Sequence, residues 1–212
     1  MNSIAPGAEQ TMHFTFDDGP DPAWTPRILS SLRREGVLAT FFVVAPLARR
    51  YPNLIASILE EGHGVEFHCT EHIRHTERDH REIEEDTLTG LQTLDSLGVH
   101  PSLWRPPWGL VTPETHEVAG SFGLELALWD LDTHDWRGDS AAGMLENIGP
   151  GLVAGSVILM HDGLGPGARR NGCAETVSLI GSLTERTRSL GCRPTPLVAS
   201  PGLRTDRSKA RA

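Results

Sequence analysis

About seven times along this chain a short apolar run gives way to an amphipathic helical stretch, and that alternation limits the fold more than any other feature. Residues 11–16 read as a first strand. Thr25-Pro26 reads as a hydroxyl cap and first-turn proline, opening a helix with Ile28, Leu29 and Leu32 on one face and a stop near Gly36. Leu38 to Val44 is apolar without alternation, as in a strand covered on both faces. Asn53 is placed to cap a helix over 54–61, and 64–67 is a short strand ending at His68. Ile83, Thr87, Leu88, Leu91, Leu94 and Leu97 trace one side of a long helix that Gly98 ends. Strands follow at 103–105, 124–129, 156–160 and 195–198, and helices at 112–120, 140–148 and 174–190. Repeated strand–helix units build a mostly parallel α/β sheet, either open and doubly wound or closed into an incomplete barrel.

The polar residues decide between the two. Asp17-Asp18, His68, Arg105, the Asp132–Asp135 segment and His161 each stand just beyond the C-terminal end of an expected strand. In a β/α barrel those ends share one rim, where active sites are built. The barrel gathers five polar clusters in one place, whereas an open sheet spreads them.

Thr15-Phe16-Asp17-Asp18-Gly19-Pro20 sets two carboxylates side by side and then breaks the strand. Adjacent acids repel, so a cation or a proton is expected between them. His68-Cys69-Thr70-Glu71-His72 spaces two imidazoles at i and i+4, which on one helical turn share a face. With Asp18 they make three ligands and leave a position open, the pattern of a catalytic zinc site. The spacing alone does not say which acid takes which task. The assignment made is Asp18 to the metal and Asp17 to proton abstraction from water. Arg105, opening Arg105-Pro106-Pro107-Trp108-Gly109, is a candidate to orient Asp17, and His161 is a candidate general acid beside Asp135. There is no GxSxG, and neighbouring Cys69 and His68 lack nucleophile–base spacing. The stretch Gly163–Gly172 is glycine-rich and basic but lacks the Gly-Lys-Ser/Thr ending of a phosphate loop. It reads as a flexible loop near His161, or as a place where Arg169 or Arg170 meets an anionic part of a substrate.

The motifs stand in the order of a known family. The chain resembles the NodB-homology polysaccharide deacetylases, carbohydrate esterase family four, in Thr15–Pro20, Thr40-Phe41-Phe42-Val43, His68-x-x-x-His72, Arg105–Gly109, Asp132-Thr133-His134-Asp135-Trp136 and Leu159-Met160-His161-Asp162. The resemblance covers roughly residues 12–198. It implies a distorted, incomplete (β/α) barrel of about seven parallel strands and metal-dependent removal of an N-acetyl group. Asp17 would be the base, Asp18, His68 and His72 the metal ligands, Arg105 the orienter of Asp17, and Asp135 the residue that tunes the acid His161. The backbone N–H of Trp108 would meet the oxyanion, and Leu159 and Trp136 would line the acetyl pocket. Zn2+ is the expected ion, with Co2+ or Ni2+ as substitutes. Departures are Cys69 where Ser or Thr is usual, Glu66-Phe67 where Gly-Asn is usual, and Trp108 where Tyr is usual.

Composition bounds the partners. A net charge of −9 argues against a nucleic-acid groove or an anionic membrane surface. No apolar run reaches membrane-spanning length, and no secretory leader is legible, which gives the expectation of a cytoplasmic location. Three scattered cysteines fit reduced thiols. The expected organisation is one deacetylase domain over 11–202 between a flexible arm (1–10) and a flexible tail (203–212). The expected substrate is a small N-acetylated sugar, oligosaccharide or biosynthetic intermediate. The rivals are a same-site hydrolase of a non-sugar amide or cyclic imide, and a non-catalytic carbohydrate-binding relative.

Overall fold

The structure, a computed structural model, describes residues 10–200. The expected tail and residues 1–9 of the expected arm lie outside that range, and Gln10 already belongs to the first strand. In chain order the elements are β1 (Gln10–Asp17), α1 (Thr25–Glu35), β2 (Thr40–Val44), α2 (Ala45–Arg50), α3 (Pro52–Glu60), β3 (Gly64–Cys69), α4 (His80–Asp95), β4 (Leu103–Trp104), α5 (Pro113–Phe122), β5 (Glu125–Leu126), β6 (Leu131–Asp132), α6 (Ala141–Ile148), β7 (Val157–His161), α7 (Ala174–Ser189) and β8 (Cys192–Pro194).

Seven strands pair in the order β5-β4-β3-β2-β1-β7-β6, every pair parallel, and β8 pairs in parallel with the first residues of β1. The path has two ends, so the barrel is incomplete. Alternation sorts the strand residues. Met12, Phe14, Phe16, Phe41, Val43, Ile158 and Met160 join the main core with Ile28, Leu32, Leu179 and Leu183 from α1 and α7. Phe42, Leu103 and Ala127 form a separate cluster, against which Leu197 and Ala199 pack. Between the cores β1 carries two polar residues, Thr15 and Asp17, both buried.

Several local expectations are corrected. Thr25 is not the cap of α1. It lies inside the helix, with its hydroxyl accepting from Asp21 N and donating to Asp162 Oδ2, while Asp21 Oδ1 accepts from Ala23 N and Trp24 N. Asn53 caps nothing, because α3 already starts at Pro52, and α2 precedes it where no helix was expected. The strand expected over 124–129 shrinks to Glu125–Leu126, and β6 follows. Arg105 donates to the carbonyls of Ala127 and Leu128, occupying acceptors that a longer ladder would use. The last strand is Cys192–Pro194, and the chain beyond it turns to pack Leu197 and Ala199. Among the described residues no helix is long and apolar enough to cross a membrane.

Candidate active site

Strand register builds the centre. Asp17, the last residue of β1, pairs with His161, the last residue of β7, and with Phe42 of β2. The next residue, Asp18, takes a left-handed backbone (φ 70°), which an aspartate tolerates better than most side chains. That turn points its carboxylate at His68 and His72. The loop after β7 must come very close here. A Cβ on Gly165 would sit 2.0 Å from Asp18 Oδ2, and one on Gly163 would sit 2.3 Å from Asp18 O.

His68 is buried at the end of β3, and its Nδ1 lies 2.6 Å from the carbonyl of Arg105. A carbonyl only accepts, so Nδ1 carries a proton and, in the neutral imidazole, Nε2 is left as a bare lone pair. That lone pair faces Asp18 Oδ1 at 3.4 Å, and His72 Nε2 faces the same oxygen at 3.2 Å. Asp18 Oδ1 and His68 Nε2 are buried without a hydrogen-bond donor. Two acceptors facing each other with no proton between them fit a cation. Ligands bound at about 2.0–2.1 Å around a tetrahedral ion stand about 3.3 Å apart. Asp18, His68 and His72 are the one such group of ligating side chains among the described residues.

The expected helical turn for His68-x-x-x-His72 is absent. His68 is the penultimate residue of β3, and His72 sits on the loop that follows. Asp86 of α4 shapes that loop. Its carboxylate accepts from Thr70 N (3.0 Å), Glu71 N (2.8 Å) and Arg78 Nη1 (3.1 Å), and its carbonyl accepts from the Thr70 hydroxyl. Cys69 is buried next to the ligands, burial pushes its thiol well up, and its sulfur is not in the ligating group. The Glu66 carboxylate accepts from Ser102 N and Leu103 N at the start of β4 and is directed away from the rim.

Behind Asp17, Arg105 is fully buried. Its Nη1 donates to Asp17 Oδ1 and Thr15 Oγ1, both at 2.8 Å, and its guanidinium lies 4.0 Å from the centre of the Phe42 ring. Behind His161, Asp135 is enclosed by donors. Oδ1 lies 2.7 Å from His161 Nδ1, and Oδ2 accepts from His161 N, Arg170 Nη1 and Thr176 Oγ1. Burial alone would lower the His161 pKa, but Asp135 overcomes it and the value rises to about 9. Burial pushes Asp135 up, while His161 and then Arg170 bring it below its ordinary value. Arg170 also donates to the carbonyls of His161 and Gly163, so it faces inward.

A cavity of about 380 Å³ opens between these groups. Asp17, Asp18, His68, His72, His161, Trp108, Trp136 and Leu159 all line it, while Arg105 and Asp135 support it from behind. Trp108 has φ 55° and lies edge-on to His72, with ring centres 4.2 Å apart. Sequence reasoning missed Trp129, Arg74 and the inward turn of Arg170 in the lining, and Asp86 and Thr176 behind it. The paired arginines were legible, but which one turns inward depends on the loop's path.

A family model described as polysaccharide deacetylase matches residues 5–127. The chain is 29% identical over 190 residues to a peptidoglycan-N-acetylglucosamine deacetylase of Bacillus cereus, covering 89% of this chain and 86% of that protein. It is 30% identical over 171 residues to a chitooligosaccharide deacetylase of Bradyrhizobium sp., covering 80% of this chain and 78% of that protein. Its fold matches the family 4 carbohydrate esterase from Streptomyces lividans in complex with acetate, with a TM-score of 0.80, 27% identity, and coverage of 90% and 93% of the two chains.

Proposed function

This chain belongs to the polysaccharide deacetylase family, and from that premise we propose that it is a metal-dependent hydrolase that removes an N-acetyl group from an N-acetylated sugar or oligosaccharide and releases acetate. One observation carries the reading. The Asp18–His68–His72 group faces a cavity that also holds Asp17 and His161, an acid and an imidazole paired across β1 and β7.

Zn2+ fits the one-carboxylate, two-imidazole set, with Co2+ or Ni2+ as substitutes, and would supply Lewis-acid polarisation when bound. The protein's own residues do the rest. Asp17, held by Arg105, takes a proton from the attacking water as its oxygen adds to the acetyl carbon. The backbone N–H of Trp108 stabilises charge on the acetyl oxygen. His161, protonated below about pH 9, gives its ring proton to the sugar nitrogen as the C–N bond breaks, and acetate and the free amine leave. Leu159 and the indole of Trp136 supply an apolar wall for the acetyl methyl.

The test is acetate release from a panel of N-acetylated sugars and oligosaccharides by zinc-loaded protein, with non-sugar amides alongside. Acetate is expected from the sugars, and loss of activity on chelation should be reversed by added zinc. Hydrolysis of the non-sugar amides alone would overturn the substrate class. Full activity after complete metal removal would overturn the metal requirement.

A further inference from the structure

In this acidic chain (net charge −9) arginines gather around two indoles that line the cavity. Each of its two flanking indoles carries guanidinium groups. Arg74 lies 4.3 Å from the centre of the Trp108 ring and is paired with Glu77. Arg137 and Arg169 lie 5.1 and 5.8 Å from the centre of the Trp136 ring. Both are exposed, and among the described residues neither side chain has an acidic partner. They come from different segments, the turn after β6 and the loop after β7, joined where Arg169 N donates to Trp136 O at 2.8 Å. Asp132, the nearby acid in the lining, accepts from the backbone N–H of His134.

We propose that Arg137 and Arg169, stacked on Trp136, form a subsite for a carboxylate on the sugar next to the one whose acetamide enters the cavity. The favoured substrate is then an acidic N-acetylated oligosaccharide. This rests on the deacetylase reading and deepens it. A guanidinium fork held against an indole donates paired hydrogen bonds to a carboxylate. A net-negative protein repels an anionic glycan everywhere except at such a local patch, whereas a neutral glycan gains little from it. Two sources present this chemistry, a hexuronate and a lactyl ether on the neighbouring ring.

The experiment compares three N-acetylated trisaccharides of equal length on the zinc-loaded protein: a neutral one, one with a neighbouring hexuronate, and one with a neighbouring lactyl ether. At least one acidic substrate is expected to show a KM roughly three- to tenfold below the neutral one, the scale of two exposed ion pairs. The gap should narrow with salt and close in R137Q/R169Q, with kcat on the acidic substrate little changed. Equal KM values in the wild type, or a gap that survives the double substitution, overturn the subsite. Acetate from the neutral trisaccharide keeps the deacetylase reading whatever the gap. If no trisaccharide is cleaved, that reading fails, and calorimetric binding of the same three still decides the subsite, with equal affinities overturning it.

Discussion

Arg105 Nη1 donates to Asp17 Oδ1 at 2.8 Å, joining a fully buried guanidinium just past β4 to a buried carboxylate at the end of β1. The cation is held from four sides, since Thr15 Oγ1 and the carbonyls of Ala127 and Leu128 also accept from it. Such a buried pair orients more than it stabilises, yet removing one partner strands the other.

Asp17→Asn therefore tests orientation and chemistry together. The amide keeps an acceptor for Arg105 but takes no proton. Acetate release is expected to fall by roughly 10²- to 10⁴-fold, and stability to drop by about 3 kcal/mol because Arg105 loses its counter-charge. Zinc affinity, measured by chelator competition, should stay within a fewfold. Wild-type turnover in the variant would remove Asp17 from the mechanism.

Asp135 governs where His161 loses its proton. The His161 pKa is raised to about 9, so the acid form persists from low pH through neutrality, and activity should fall as pH rises through that value. Asp135→Asn removes the main raising influence and leaves burial, which lowers the pKa, against the weaker raising charges of Asp18 and Asp17. The alkaline limb of kcat/KM should then move down toward the ordinary value of about 6.5. A limb that stays in place would mean another group sets it.

Asp86 holds the loop that carries His72, a proposed metal ligand. Asp86→Ala frees the Thr70 and Glu71 N–H groups and the Arg78 guanidinium. Zinc affinity should fall roughly 10- to 100-fold, as for the loss of a ligand's supporting contacts. An unchanged dissociation constant would show that the loop holds its shape without it.

Asp162, next to His161 in the chain, accepts from the Thr25 hydroxyl, and burial pushes its carboxyl up to about 7. Between an ordinary aspartate pKa of about 3.9 and that value, the folded chain holds a proton that the unfolded chain has released. The contribution of Asp162 to stability must therefore decline as pH rises across this window, by an amount on the order of a few kcal/mol. Asp162→Asn should flatten that slope in the metal-free protein, measured as denaturant midpoints from pH 4 to 7.5. Parallel slopes in both proteins would reject the assignment.

The rim itself was legible because each part of it is local. A strand's apolar run ends at a polar residue, so Asp17, His68, Arg105 and His161 could each be placed at a strand end from sequence period alone. Short-range patterns of caps and turns had mixed outcomes: Gly36 ends α1 as expected, but side chains that serve distant partners escaped them. Thr25 reads as a cap, yet its hydroxyl serves Asp162, which is 137 residues away in sequence. His68 and His72 have helical spacing, yet Asp86 holds their segment as a loop.

What the sequence by itself determined is the alternation that makes a parallel sheet, and the side chains available at its strand ends. Tertiary structure alone decided which of them meet. Register set Asp17 opposite His161, the carbonyl of Arg105 fixed the His68 tautomer, and the path of one loop turned Arg170 toward Asp135 and left Arg169 at the mouth. The physical reason is range. Period and propensity act over a few residues, whereas a buried charge finds its partner only once strands far apart in sequence are packed side by side.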